Sequence, residues 1–426
     1  MSLMRIDEIF SFEKGILQSS KCVPGDFDFI TASSDWKTHN EFTHDCEALI
    51  FAAAASGSLG RTHYVNGKFV SSDLCFIITP KDQESLPVDL KFYHILFNEL
   101  KDEIVRNTKA GTSKEAIGLG SFGKYELPYF DIDTQIEIKN RFVNSENLKS
   151  NLTTELNQQV GLVNKLRHQL LQDAVQGKLV EQNKKDQPAS ELLKKIKAEK
   201  QKLIAEKKLK KEKELPPIKP EEIPFEIPEN WVWCRLNDIC DAIIDCPHST
   251  PHYIDNETGY YGIDTNCINE KGEITRLRSL SFESYQERIR RLVPKENDIV
   301  YAREGSIGLA TFIPKDKNIC LGQRVMLFRP SNAIAHLYLI YAVTDIGYKT
   351  RLLSKHRGMG AKHVNVKDIV ESLIALPPFA EQTRIVQKLD ELMQYCNKLE
   401  ASIKQSESQN ENLLQQVLRE ALRKEN

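Results

Sequence analysis

No apolar run in this chain approaches the roughly 20 residues that cross a bilayer. The opening MSLMRIDEIF has neither the basic cluster nor the apolar stretch of a secretory leader. The expected location is therefore the cytoplasm, with no membrane role. A disulfide framework is missing too: nine cysteines are scattered through 426 residues without a CxxC pair, so reduced thiols are expected. Cys240, Cys246, His248 and His252 crowd together, but Pro247 and Pro251 break up the group and no metal site is expected. Charge of one sign is also lacking. Lys and Arg number 58 against 60 Asp and Glu, a net charge of −2, so any nucleic-acid contact has to come from local basic surfaces. A composition of 40% hydrophobic and 28% charged residues is that of a soluble chain with room for two or three domains.

Catalytic motifs are absent, although several stretches imitate them. GLGSFGKY, from Gly118 to Tyr125, fits both GxGxxG and GxxxxGK. A dinucleotide site needs a helix N-terminus after the glycines to hold the pyrophosphate, and Leu127-Pro128 follows at once. A P-loop needs Ser or Thr after the lysine to reach magnesium, where this chain has Tyr125. LPPF at Leu376 imitates the (N/D)PP(Y/F) motif of amino-methyltransferases, but Leu376 cannot hold an amino group. GSIG at Gly305 has Glu304 where a nucleophile elbow has glycine, and no zinc-protease, kinase or helicase motif occurs. Asp241 and Asp245 read as ordinary turn or surface acids. The chain is expected to be non-catalytic and to carry no cofactor.

What the chain does contain is long helical seams. Leu152, Leu156, Val163, Leu166 and Leu170 fall on one a/d stripe, interrupted by Gln159, over a stretch nearly free of proline. The C-terminal stretch is cleaner. Ile385, Leu389, Leu392, Cys396, Leu399 and Ile403 alternate gaps of four and three, and Leu413 and Val417 resume after Ser406 and Asn410. Pro377 and Pro378 suit the helix entrance, where a missing amide hydrogen costs nothing. A helix of the first stretch would run roughly 65 Å, which few globular cores can bury. The simplest solution packs the two stripes on each other.

The stretches before the two helices match. RIDEIF at Arg5 parallels RLNDIC at Arg235, and ALIFAAAASGSLG parallels DIVYAREGSIG. DLCFIITP parallels RVMLFRP, KAGTSKEAI parallels RGMGAKHV, and LPYFDIDTQIEI parallels LPPFAEQTRIV. From Phe51/Tyr301 to Leu127/Leu376 the offset stays between 248 and 250 residues, the mark of an internal duplication. The organisation is α+β: a mixed α/β globular unit over 1–130, a long helix over 131–180, a linker over 181–222, a second globular unit over 223–378 and a second long helix over 379–426. In the linker, lysines from Lys194 to Lys213 suggest a solvated helix, and the prolines from Pro216 to Pro228 an extended, stiff connection.

Taken together, LPPFAEQTRIVQKLDEL, LLQDAVQGKLVEQ at Leu170, PASELLKKIKAEK at Pro188, IPFEIPENWVWCRLNDI at Ile223 and DIVYAREGSIG at Asp298 resemble the specificity subunits of type I restriction–modification systems. The first repeat departs most, with DIDTQIEI in place of AEQTRIV. The resemblance implies two target recognition domains in a pseudo-two-fold repeat, each reading one half of a bipartite double-stranded DNA target. Two antiparallel coiled-coil helices would separate the domains, set the spacer and dock two methyltransferase subunits. Restriction/translocase subunits would complete the assembly. S-adenosylmethionine, ATP and magnesium are expected only in those partners.

Under this resemblance, loops at the edge of each domain supply base readers such as Arg, Lys, Asn and Gln, and phosphate contacts such as Ser, Thr and backbone amides. The candidates in the second domain are His248, Ser249, Thr250 and His252; Arg303 and Ser306; and Lys355, His356, Arg357, Lys362 and His363. By repeat position, Ser58, Arg61, Lys109, Thr112, Ser113 and Lys114 are those of the first domain. Gln323 and Arg324, at a strand start, serve the fold equally well. The helix-pair and partner interface is expected at Leu156, Val163, Leu166 and Leu170 on one side, and at Ile385, Leu389, Leu392, Cys396, Leu399 and Ile403 on the other. The competing readings are the specificity subunit of a related bipartite-site restriction–methylation enzyme, a self-contained methyltransferase, and a coiled-coil adaptor with no DNA role.

Overall fold

The strand His44–Ala52 shows how the first unit buries both faces of one sheet. The computed structural model describes residues 2–54, 57–110, 116–210, 214–247, 249–354 and 363–423. It divides into two units, Met1–Leu156 with Gln405–Asn426, and Asn157–Lys404. Successive side chains of a strand point to opposite sides. Leu49 and Phe51 therefore join Phe76, Ile78 and the helix residues Phe92, Tyr93, Leu96 and Phe97, while Ala48, Ile50 and Ala52 meet Val65, Phe69 and Ile77 on the other face. The sheet runs Phe10–Lys14, Cys75–Pro80, His44–Ala52, Thr62–Ser71, Phe27–Ile30, Lys37–His39. Only Phe27–Ile30 and Thr62–Ser71 pair in parallel. Asp89 caps the covering helix Leu90–Glu99 by accepting the Phe92 amide at 3.0 Å.

The second unit repeats the plan with the sheet split in two. Four strands run Cys240–Asp245, Val325–Pro330, Ile299–Ala302, Ala310–Phe312, and three run Arg278–Ser279, Tyr260–Ile263, Asn318–Leu321. The parallel pair recurs between Tyr260–Ile263 and Asn318–Leu321. Where the first unit has one long strand, Thr62–Ser71, the second has two short ones, with Asp316 turning the chain between them at φ 60°. The two-faced burial also recurs: Ile299, Tyr301, Met326 and Phe328 belong to one cluster, and Val300, Val325 and Leu327 to another.

Each globular unit hands over to its long helix through the same two-stranded ladder. Ser2–Arg5 pairs with Glu126–Tyr129, and Val232–Arg235 with Leu373–Leu376. Arg5 stands opposite Glu126 and Arg235 opposite Leu373. The Ile6 amide donates to the Tyr125 carbonyl, and the Leu236 amide to that of Ser372. This register corrects the alignment of the two LP pairs: Leu376 is the counterpart of Tyr129, not of Leu127. A slip of two residues preserves the strand's faces, which is why hydrophobicity alone did not expose it. The corrected alignment brings Gln135 opposite Gln382 and Ile138 opposite Ile385, all four buried.

The long helices are Ile132–Val175 and Phe379–Arg423, 44 and 45 residues. Within the second unit they run antiparallel. Gln182, just beyond the first helix, donates to Glu381 at 2.6 Å, while Arg167, further back along it, reaches Glu400 at 2.9 Å and Asn397 at 2.7 Å. The stripes pack on the core of the second unit as well as on each other. Ile385 and Leu389 join Ala174, Val175 and Trp231 in the core of the second unit, with Leu170, Leu171 and Met393 packed against them. Leu156, Val163 and Cys396 are also buried, and Leu392 and Ile403 are half-buried. Leu166 and Leu399 remain 43% and 50% exposed, so the expected seam is open at those positions.

The lysine-rich linker is not solvated on all sides. Its helix, Ala189–Ala205, buries Ala189 and Ile196 in the core of the second unit. Lys200 Nζ donates to the carbonyls of Asn237 and Cys240, both at 2.9 Å. The following segment is strapped down by Arg235, whose guanidinium donates to the carbonyls of Pro216 and Glu371 and meets Glu222. Aliphatic residues at helical spacing among the lysines supply the buried face. Among the described residues no helix is long and apolar enough to cross a membrane.

Candidate nucleic-acid interface

At one edge of the second unit the ends of four chain segments are tied by backbone hydrogen bonds. The Cys246 amide donates to the Val325 carbonyl at 3.2 Å, the Arg303 amide to that of Arg324 at 3.0 Å, and the Val364 amide to that of Arg303 at 2.9 Å. An isolated bridge joins Glu304 to His363. Arg288 is buried, and its guanidinium donates to the carbonyls of Leu321 (2.8 Å), Gly322 (2.9 Å) and Ser249 (3.1 Å). It holds the 249–252 loop against the parallel strands. Ser249, Thr250, His252, Ser306 and His363 are thus brought to this edge with exposed side chains. His248, Lys355, His356, Arg357 and Lys362 lie outside the described residues.

Arg303 corrects the expectation placed on it. It is only 5% exposed, and its guanidinium binds Asp245 through two bonds, at 2.8 and 3.2 Å. A further ion pair joins it to Glu304 at 2.6 Å. A buried arginine held by two carboxylates is positioned to buttress the 245–250 segment rather than to meet a DNA base, since leaving would strand buried charge.

The first unit has the same edge. Gly15 donates to Cys75, Ala53 to Leu74 and Ile117 to Ala53, at 3.0, 2.9 and 2.8 Å. The three bonds reproduce those of Cys246, Arg303 and Val364 one for one, with Ala53 at the place of Arg303. Ser58 and Arg61 come together here: Arg61 donates to Ser58 Oγ at 3.4 Å and to the Ala32 carbonyl at 3.3 Å. Lys109 is exposed at the start of Lys109–Ala110, whose partner strand Ala116–Ile117 bonds to Ala53. Thr112, Ser113 and Lys114 lie outside the described residues.

Two groups at these edges carry no distinguishing signal in the sequence. One is the loop after the first parallel strand: Thr31–Trp36 in the first unit and Asp264–Asn266 in the second. Thr31 and Ser33 bond to each other at 2.7 Å, and Trp36 packs edge-on against His63, 5.8 Å between centroids. The other is the turn Gln323-Arg324, with Arg324 at φ 66°. A polar triplet following a strand has no periodicity to mark it, and a positive φ cannot be read from an arginine. In the first unit, burial lowers the pKa of both His63 and His94, keeping them neutral.

The comparisons match this geometry. The family model described as "Type I restriction modification DNA specificity domain" matches residues 1–162 and 228–406. The specificity subunit of the Escherichia coli type I restriction enzyme EcoAI is 36% identical over 273 residues, 61% of this chain and 44% of that protein. That of EcoEI, also from Escherichia coli, is 29% identical over 266 residues, 58% of this chain and 43% of that protein. These alignments therefore span less than half of either relative. The EcoDI specificity subunit is 22% identical over 422 residues, 94% of this chain and 83% of its own length. Among solved structures, the HsdS subunit from Thermoanaerobacter tengcongensis shares the fold at TM-score 0.50 and 18% identity, covering 99% of this chain and 96% of that one. A chain solved in a study of type I restriction–modification complex assembly and conformational transition does so at TM-score 0.55 and 18% identity, covering 99% and 97%. The chain belongs to the type I restriction–modification DNA specificity domain family and carries two copies of that domain.

Proposed function

We propose that this chain is the non-catalytic recognition subunit of a type I restriction–modification complex, each globular unit reading one half of a bipartite DNA target. The observation that carries this reading is the recurrence of one backbone frame in both units. The bonds Gly15–Cys75, Ala53–Leu74 and Ile117–Ala53 reappear as Cys246–Val325, Arg303–Arg324 and Val364–Arg303, while the side chains mounted on the frame differ. A duplex offers the same phosphate geometry at two half-sites but different bases. A repeated scaffold carrying unlike loops suits that target.

The antiparallel helices would set the distance between half-sites, each added turn contributing about 5.4 Å. Their exposed apolar residues, Leu162 and Leu166 on one helix and Tyr395 and Leu399 on the other, would dock methyltransferase subunits. Those subunits would hold S-adenosylmethionine and methylate the DNA, and restriction/translocase subunits would hold ATP and magnesium. Among the described residues, Ser58, Arg61 and Lys109 in the first unit, and Ser249, Thr250, His252, Ser306 and His363 in the second, would meet DNA. Selection of duplexes from a random library by the chain assembled with its methyltransferase subunits tests this reading. Two short conserved blocks at a fixed separation are expected. A single continuous block, or no enrichment, would overturn it.

A further inference from the structure

Beside the backbone frame of the second unit, the 250–253 loop, the 264–266 loop and the turn at 323–324 enclose a cleft of about 140 Å³. Its floor is satisfied internally. The Arg278 guanidinium stacks on the Tyr253 ring, 3.3 Å from its centroid, and pairs with Asp264 at 3.3 Å. The Tyr253 hydroxyl donates to the same carboxylate at 3.0 Å, and the Asn266 amide to its other oxygen at 2.9 Å. Burial, reinforced by Asp264, holds the Tyr253 phenol well above its usual pKa. The floor therefore presents no unpaired charge to a ligand. The rim is different. Thr250, Asn266 and Gln323 offer neutral donors and acceptors, and Arg324 is exposed.

Other arginines around this edge are held by protein: Arg278 by Asp264, Arg288 by three carbonyls, Arg303 by Asp245 and Glu304. The Arg324 guanidinium has no hydrogen-bond or ion-pair partner among the described residues. Its backbone lies at φ 66°, where glycine or asparagine would be at ease and arginine is not. The fold thus gives no reason for an arginine here. The repeat supplies one. The Ala53–Leu74 bond places Leu74 at the equivalent point of the first unit. Phosphates are alike at both half-sites, so residues serving them are expected to recur, whereas a residue present in one unit and replaced by leucine in the other belongs to what differs, the bases.

We infer that Arg324 is a guanine-reading residue of the second unit, its planar guanidinium donating to O6 and N7 of one guanine in the major groove. Thr250, Asn266 and Gln323 border the same base step. This rests on the proposed function and goes beyond it by assigning one base in one half-site to one side chain.

The test uses the chain assembled with its methyltransferase subunits and a duplex panel in which every base pair of the selected target is varied in turn. Arg324→Gly removes the side chain while favouring the observed turn, and Arg324→Lys keeps the charge but not the planar fork. Both variants should lose about ten- to hundredfold discrimination at a single G·C pair of one half-site, leaving every other position and the other half-site unchanged. An even loss across all duplexes with a shallower salt dependence would make Arg324 a phosphate contact and overturn the inference. Unchanged preference at every position would overturn it as well. If the wild-type complex itself shows no preference anywhere, the proposed function falls and the inference with it.

Discussion

Gln135 and Gln382 do the same work at the start of the two long helices. Each side chain folds back, its Nε2 donating to the carbonyl five residues before it, Phe130 at 2.8 Å and Pro377 at 2.9 Å. Each Oε1 accepts the backbone amide of the residue just before a helix of its unit, Asp89 before Leu90–Glu99 at 2.8 Å and Ala335 before His336–Thr344 at 2.9 Å. Both are fully buried. One amide side chain thus ties a recognition unit to the helix that leaves it. Gln382→Leu keeps the volume and strands a buried carbonyl and a buried amide, so it should cost about 1–3 kcal/mol locally. Hydrogen exchange of the His336–Thr344 helix should speed up accordingly, with the first unit unaffected.

Arg303 and Arg324 should separate stability from readout. Arg303→Ala leaves Asp245 without its buried partner and should destabilise the second unit by about 3 kcal/mol, read by denaturant unfolding followed through that unit. Arg324→Gly should leave stability unchanged or raise it. Equal destabilisation by both would refute the division of roles.

The helix stripe divides into a structural and a docking part. Leu389 is fully buried, and Leu389→Asp should prevent folding of the second unit. Leu166→Lys and Leu399→Lys fall on exposed positions and should change stability by less than about 0.5 kcal/mol while abolishing co-purification with methyltransferase subunits. Normal assembly of either variant would remove this surface from the interface.

Acid should weaken the first unit before the second. Burial lowers the folded-state pKa of His63 and His94 below 6.5. A depressed pKa means that the unfolded chain takes up the proton first. The contribution is complete above the unfolded value and is lost as pH falls from about 6.5 through the lower folded values. The protection of amides in Thr62–Ser71, taken as the ratio of intrinsic to observed exchange rate, should therefore fall as pH drops from 7.5 to 5.5. His94→Gln should flatten that dependence.

Much of this was legible in the chain. The duplication and the two helical seams rest on periodicity that acts locally. Gly123, the last residue of the short helix Leu119–Gly123, sits where a Cβ would strike the Phe12 ring at 2.7 Å, so its glycine serves packing. Long-range pairing was less accessible. The LP motifs aligned two residues out of register because strand hydrophobicity has a period of two. Arg303 looked like a DNA contact until Asp245, 58 positions away in sequence, was found bonded to it. Arg324 could not be singled out, since its distinction lies in a backbone angle and the lack of a side-chain partner among the described residues. The lysine-rich helix hid its buried face because Ala189 and Ile196 are sparse among charges.

The central claim is that two unlike edges on one repeated frame read the two halves of a split target. Single-molecule sequencing of modified adenines in host DNA, with and without this gene, tests it most directly. The account predicts a bipartite methylated motif that vanishes with the gene and loses one guanine requirement, in one half only, when Arg324→Gly replaces the wild type. A methylation pattern indifferent to the gene, or a motif without two parts, would contradict it.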